Sequence, residues 1–206
     1  MMLWLGAAFL LSGLPLLSID RRAAVYFRDR LAPPALTVLL KTTDWAKGGP
    51  WIAGVAVFYL GAQAWIALRG ESLNPRMASD AVLALLVSLI VGSVVLHTIK
   101  IFLGRRRPRD DFEHGLYGFV FFTWSLQHNS FPSGHALTIF CVATWASAFA
   151  PVLAPLWFAI ALYFGLSRAI LAVHFLSDVA IGAGIGVIAA RETMILAFPQ
   201  LVPSWF

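Results

Sequence analysis

Residues 114–167 run for 54 positions without one Asp, Glu, Lys or Arg. Shorter uncharged runs cover 1–19, 48–68 and 81–99. A helix needs about 20 mostly apolar residues to cross the hydrocarbon core of a bilayer, so each run is long enough for at least one crossing and 114–167 for two. Composition closes off the alternatives. Of the 206 residues 60% are apolar and 12% charged, about half the roughly 25% charge of a soluble domain. One soluble domain of this size has too little interior to hide so many apolar side chains. A disulfide scaffold is excluded because Cys141 is the only cysteine. The expected class is an all-α membrane protein, with six transmembrane helices in one bundle and a single domain over residues 1–206.

Punctuation places the six helices. Met2–Ile19 has no basic residue ahead of it and no small-x-small site before Asp20-Arg21-Arg22, the pattern of a retained first helix. Residues 20–50 form a mixed-charge connection, whose middle, Leu36–Trp45, suits an interfacial helix or loop. Helix two is expected at Trp51–Leu68, followed by a polar turn, Arg69–Asp80, and helix three at Ala81–Ile99. The aromatic stretch Gly115–Ser130, interrupted by Gly118, Gln127, His128 and Asn129, reads as a loop over the site. Helix four opens at Pro132-Ser133-Gly134 and runs to about Ala150; helix five ends near Arg168, and helix six covers about Val173–Ala190. The tail, with Pro199, Pro203 and Trp205, suits an interfacial anchor.

This arrangement puts 12 of the 15 Lys and Arg on one face. Positive-inside sorting would turn that face to the cytoplasm; alternatively, several of these cations serve an anion site. The net charge of +5 needs no nucleic acid, because a headgroup-facing rim accounts for it. Arg105, Arg106 and Arg109 are expected in that rim.

Three polar clusters stand at helix ends on the same face. Lys100-x6-Arg107-Pro108 puts two cations on one side of helix three if the helix continues that far, while Pro108 disfavours helix at Arg107. Together they make a phosphate clamp or a basic cuff for headgroups. Pro132-Ser133-Gly134-His135 combines an N-cap serine, a glycine that admits close approach and a histidine able to move protons near neutral pH. Alone it is also an ordinary helix start. In Ser167-Arg168-x5-His174-x3-Asp178, a four-residue spacing puts His174 and Asp178 on one helix face. The carboxylate can then orient an imidazole nucleophile, or the two form a structural pair.

The triple pattern KIFLGRRRP (100–108), PSGH (132–135) and SRAILAVHFLSD (167–178) resembles the type 2 phosphatidic acid phosphatase superfamily, which includes lipid phosphate phosphatases and vanadium haloperoxidases. Thr43-Asp44-Trp45-Ala46-Lys47-Gly48-Gly49 and Phe131 before PSGH add to the likeness; Phe175-Leu176 departs from the Tyr-Pro of many relatives. The resemblance implies a phosphatase that uses no metal or cofactor and works through a phosphohistidine. It implies His174 as nucleophile, Asp178 as its orienting carboxylate and His135 as proton donor and then water activator. Lys100, Arg107, Ser133, Gly134 and Arg168 would hold the phosphate oxygens. The implied substrate is a lipid phosphate or diphosphate: phosphatidic acid, phosphatidylglycerol phosphate, undecaprenyl diphosphate or lipid A type. The expected location is the bacterial inner membrane with the site facing outward. A lipid phosphotransferase and a non-catalytic lipid-binding or transport protein remain as alternatives.

Four other features have plainer readings. Gly182-x-x-x-Gly186 is a helix-packing motif, His97 a satisfied histidine in the membrane, and Cys141 a small buried residue. His114 and His128 lie in the loop above the site.

Overall fold

A computed structural model describes residues 1–69, 73–123, 125 and 128–206, the side chains of 69 and 73–75 excepted. Residues 70–72 of the expected polar turn, Trp124 of the aromatic stretch and Gln127 of the loop lie outside the described residues. The chain is mostly helical, and a helix occupies each of the six expected places: α1 (Met2–Leu16), α4 (Gly48–Arg69), α5 (Leu73–Phe102), α7 (Gly134–Phe149), α8 (Ala154–Ile170) and α9 (Leu176–Ala197). Among the described residues four helices are long and apolar enough to cross a membrane by themselves. A fifth span is counted if α1 is joined with α2 (Asp20–Arg30), from which it bends by 87°. The 16 residues of α7 rise about 24 Å against a hydrocarbon core of about 30 Å.

The mixed-charge connection is more ordered than its sequence suggests. It contains α2, α3 (Pro33–Thr42) and a helical turn at Thr43–Ala46, just before α4. A further departure from an all-helical chain follows α5. Here β1 (Leu103–Arg105) pairs antiparallel with β2 (Phe119–Phe121), Gly104 standing opposite Val120. Pro108 disfavours helix at Arg107, and the backbone groups between α5 and α6 need partners outside a helix, which the ribbon supplies in part. Between the strands, α6 (Pro108–His114) ends at Gly115, whose φ of +65° closes the helix in a left-handed cap.

The centre of the packing is α9. Two thirds of its span is buried (67%), against 6% for α4. The small-residue spacing explains how it gets so close to its neighbours. A Cβ on Gly182 would stand 2.3 Å from the Ser133 carbonyl oxygen, and one on Gly186 2.3 Å from that of Leu137. Both glycines therefore let α9 lie on the backbone of α7, as the spacing predicts. On another face Gly184 meets Leu10 and the Gly6 carbonyl of α1. Cys141 is buried in the same interior, and Trp145 of α7 ties to α5 by donating its indole N–H to the Ala81 carbonyl at 2.8 Å.

Gly186→Ala is expected to destabilise the protein by about 1–3 kcal/mol through overpacking against rigid backbone, read as a lower Tm in detergent. Gly54→Ala, where a Cβ meets nothing within 4 Å, is expected to hold or raise Tm, since alanine is the better helix former.

Candidate active site

The three polar clusters converge on one cavity of about 570 Å³, lined among others by Lys100, Arg107, Gly134, His135, Arg168 and His174. They reach it by routes different from those the spacings suggest. Lys100 and Arg107 do not share a helix: α5 stops at Phe102, and Arg107, in extended conformation, stands immediately before α6. The fold-back through β1 brings the two cations to the cavity. Lys100 is tied by its Nζ to the Asn129 carbonyl at 2.8 Å, and Arg107 is set by its backbone N–H donating to Asp110 at 3.0 Å.

Ser133 is the N-cap of α7, and its Oγ accepts from the Ala136 N–H. Its own N–H donates to the Asp178 carbonyl at 2.9 Å, so the start of α7 and the first turn of α9 are bonded backbone to backbone. At Gly134 a Cβ would meet nothing nearer than Leu96 at 4.0 Å; the glycine leaves space in the cavity and relieves no clash.

Arg168, in the last turn of α8, donates to Thr43 Oγ1 at 3.0 Å, which locks the guanidinium to the turn before α4. The Arg168 carbonyl accepts the N–H groups of Val173 and His174. With Ala172 in the left-handed region at φ 53°, this tight reversal presents His174 from a loop.

His174 and Asp178 therefore do not share a helix face. Asp178 stands in the first turn of α9 and His174 precedes that helix. The ring Nδ1 is 2.7 Å from the Ser130 carbonyl oxygen and 3.7 Å from Asp178 Oδ2, too far for a hydrogen bond to the carboxylate. A carbonyl oxygen can only accept, so Nδ1 carries the ring proton and the lone pair is on Nε2. Ser130 also donates its Oγ to Asp178 Oδ2 at 2.6 Å, and thus links the carboxylate to the ring. Burial pushes the His174 imidazole down to about 4; Asp178 opposes this, while Lys100 and Arg168 add to it.

Arg105 does not belong to a headgroup rim. It is fully buried and lies between two buried carboxylates, Asp178 at 2.6 Å and Asp20 at 2.8 Å. Burial works against its charge, but Asp178 and Asp20 more than offset that and raise its pKa. Hydrophobic periodicity carries no signal for Arg105, Asp20, Ser130 or Thr43, because their importance rests on partners distant in the chain. The only hint is that Asp20 and Arg105 are rare charges beside long apolar runs.

The site keeps donors and acceptors in reserve. Arg107 Nε, Arg168 Nε and His135 Nε2 are buried without a hydrogen-bond partner among the described residues, a costly state unless a ligand satisfies them. His97, by contrast, is satisfied by the Ser93 carbonyl at 2.7 Å, although it also lines the cavity. A second groove, of about 530 Å³ and almost wholly apolar, is lined by Trp45, Trp51, Phe58, Leu85 and Trp145, and shares Pro50 with the cavity.

Residues 81–201 match the model of the PAP2 superfamily. The lipid A 1-phosphatase of Rhizobium etli is 30% identical over 105 residues, which make up 50% of this chain and 44% of that protein. That of Rhizobium johnstonii is also 30% identical, over 50% of this chain and 42% of its own length. The match thus spans less than half of these relatives. Among solved structures, LpxE of Aquifex aeolicus has a TM-score of 0.62 at 18% identity, covering 86% of this chain and 95% of that one. A transmembrane PAP2-type phosphatidylglycerolphosphate phosphatase of Bacillus subtilis has a TM-score of 0.59 at 18% identity, covering 98% of both chains.

In 15N spectra of histidine-labelled protein, His174 is expected to show the Nδ1–H tautomer and to stay neutral from about pH 7.5 to about pH 5, below the ordinary 6.5 or so. A ring protonating near 6.5, or carrying its proton on Nε2, would contradict the geometry.

Proposed function

Since this chain belongs to the PAP2 superfamily, we propose that it is an integral-membrane lipid phosphatase that cleaves a lipid phosphate or diphosphate monoester through a phosphohistidine. The observation that carries this reading is the lock on His174. Ser130 holds the Nδ1 proton, and the ring, with its Nε2 lone pair, lines a cavity with Lys100, Arg107, Arg168 and His135. A phosphoryl group there would meet three cations and the N-terminus of α7, which complement the charge that builds on its oxygens in transfer. The unpartnered Nε atoms of Arg107 and Arg168 are donors such a group would satisfy.

The steps follow from these roles. The Nε2 lone pair of His174 forms a bond to phosphorus while the bond to the ester oxygen breaks. The leaving oxygen keeps that electron pair and takes a proton from His135. His135 then takes a proton from water, whose oxygen attacks phosphorus and displaces Nε2, releasing inorganic phosphate. Asp178, linked through Ser130, offsets the positive charge of the phosphorylated ring. Ser133 and Gly134 supply the helix start that cradles the oxygens. A cavity lined by Lys47, Lys100, Arg107 and Arg168 gives a divalent metal no electrostatic foothold, and the reading assigns it none.

An apolar groove that meets the cavity at Pro50 suits a substrate with its phosphate at the bilayer surface and an acyl chain along α4. Lipid A 1-phosphate, the substrate in the names of the curated relatives, leads the lipids to assay. Phosphatidic acid, phosphatidylglycerol phosphate and undecaprenyl diphosphate follow. The reading includes six crossings of a bacterial inner membrane, from the uncharged runs, with the site outward, as the family resemblance implies. Four of the cations behind the opposing positive-inside count, Lys100, Arg105, Arg107 and Arg168, belong to the site or the ion cluster beneath it.

His174→Ala is expected to abolish phosphate release from purified protein, a loss of at least about 1,000-fold, with an unchanged melting profile. Release that survives would overturn the mechanism; transfer of phosphate to a lipid hydroxyl in place of water would make the enzyme a phosphotransferase. His135→Asn, given a phosphate ester with a good leaving group, is expected to accumulate an acid-labile phosphoenzyme, detected with 32P after a quench in base. For topology, Ser125→Cys is expected to react with a membrane-impermeant maleimide added outside intact cells; labelling only after lysis would put the site inside.

A further inference from the structure

Under the loop that carries His174 is a buried ion cluster drawn from three separate parts of the chain. Asp20 begins α2, Arg105 ends β1, and Ser177 and Asp178 are in the first turn of α9; all four are fully buried. Arg105 donates from Nη1 to Asp178 Oδ1 at 2.6 Å and Ser177 Oγ at 2.8 Å. From Nη2 it donates to Asp20 Oδ2 at 2.8 Å and the Tyr117 hydroxyl at 3.1 Å. Asp20 also accepts the Ser177 N–H at 3.0 Å and the Ser177 hydroxyl. The Arg105 guanidinium lies over the Phe175 ring, 4.2 Å from its centroid.

The charges in this cluster do not cancel. Two carboxylates share one guanidinium, and a net negative charge is left on fully buried groups, where charge is costly unless balanced. The group next to the surplus is His174, whose Nδ1 is 3.7 Å from Asp178 Oδ2. The ring is neutral at rest and becomes cationic once phosphorus bonds to Nε2. The surplus is therefore matched to the phosphoenzyme and not to the resting state. The charged groups that act on the ring besides Asp178 are Lys100 from α5 and Arg168 from α8; His135, Arg107 and Lys47 line the same cavity, and the carboxylate of Asp44 acts on His135 and Arg168, not on His174.

We propose that Asp20 is a positioning residue of the active site: by occupying half of Arg105, it leaves Asp178 with the negative charge that balances the phosphorylated His174. The proposal rests on the phosphohistidine reading above. It assigns a role in the reaction to the N-terminal helical region, since Asp20 lies outside the 81–201 matched to the family model. The bend of 87° between α1 and α2 is what delivers Asp20 to the start of α9. Were Asp20 uncharged, Arg105 would neutralise Asp178 alone, and the positive charge of the ring would have no surplus carboxylate beside it to offset Lys100 and Arg168.

The test is a charge-balance series in the full-length protein in nanodiscs, assayed for phosphate release and for phosphoenzyme trapped with 32P. Asp20→Asn is expected to lower kcat by about 30-fold with KM within about twofold, because the loss is in the charged intermediate and not in substrate binding. Asp20→Glu, which keeps the charge, is expected to retain activity within about threefold of the unaltered protein. Asp20→Asn combined with Arg105→Gln removes more hydrogen bonds but returns the cluster to one net negative charge. It is expected to regain about tenfold in kcat over Asp20→Asn alone. A purely structural role predicts the reverse, with the double variant worse than the single one and Asp20→Glu as damaging as Asp20→Asn. Either pattern, or a kcat within twofold for Asp20→Asn, would overturn the proposal. If the double variant does not fold, the contrast between Asn and Glu at position 20 still decides. His174→Ala assayed alongside separates the two failures: if it stays active, the phosphohistidine reading has fallen and not the role of Asp20 within it.

Discussion

One buried guanidinium holds the candidate-site end of this protein together. Arg105 has no solvent exposure and is bonded to carboxylates on two other elements, Asp20 and Asp178. Taking three charges out of water is expensive, and a cluster like this is poor evidence for stability as such. Its value is in specification. The hydrogen bonds are satisfied together only if α2, β1 and α9 meet in one arrangement, and that arrangement puts Asp178 beneath the ring of His174. Ser130 completes the link, its hydroxyl donating to Asp178 and its carbonyl accepting from His174 Nδ1.

The second dependence is steric. The site forms where the start of α7 touches the start of α9, with the Ser133 N–H bonded to the Asp178 carbonyl. That contact requires backbones closer than any side chain allows, which is why Gly182 and Gly186 face α7. In a bilayer the hydrophobic effect does not press helices together, so close packing of this kind must supply the attraction. The same helix that carries Asp178 therefore carries the glycines that dock it. In the PAP2 superfamily, to which the chain belongs, the proposed chemistry needs cations and helix-end N–H groups held rigid before substrate arrives. The cluster below, where both Nη atoms of Arg105 are bonded, and the unpartnered Nε donors of Arg107 and Arg168 in the cavity divide these tasks between support and binding.

Much of this was legible in the residues. The helix positions followed from uncharged runs, the G-x-x-x-G contact from spacing, and the eight candidate site residues from three short motifs, most of which now line one cavity. Local geometry is less legible. The spacings predict Lys100 and Arg107 on one helix side, and His174 and Asp178 on one helix face; the chain leaves α5 between the first two and enters α9 only between the second two. Pro108 keeps Arg107 out of helix, and β1 carries the chain there from the end of α5. The second departure comes from the Arg168 carbonyl, which accepts two loop N–H groups, a bond no periodicity reports.

What the amino-acid order determined by itself was the solvent and the groups available to a site: a chain this apolar has to lie in lipid, and its few charged groups are too costly there to be incidental. What only the tertiary structure decided was which charges meet. Asp20, 85 residues before Arg105, looks like the polar stop of a first helix and proves to be buried with it. Pairing between distant charges depends on distance in space, and nothing local in a sequence encodes that. The tautomer of His174, with its lone pair on Nε2, was settled the same way, by a carbonyl 44 residues away in the chain.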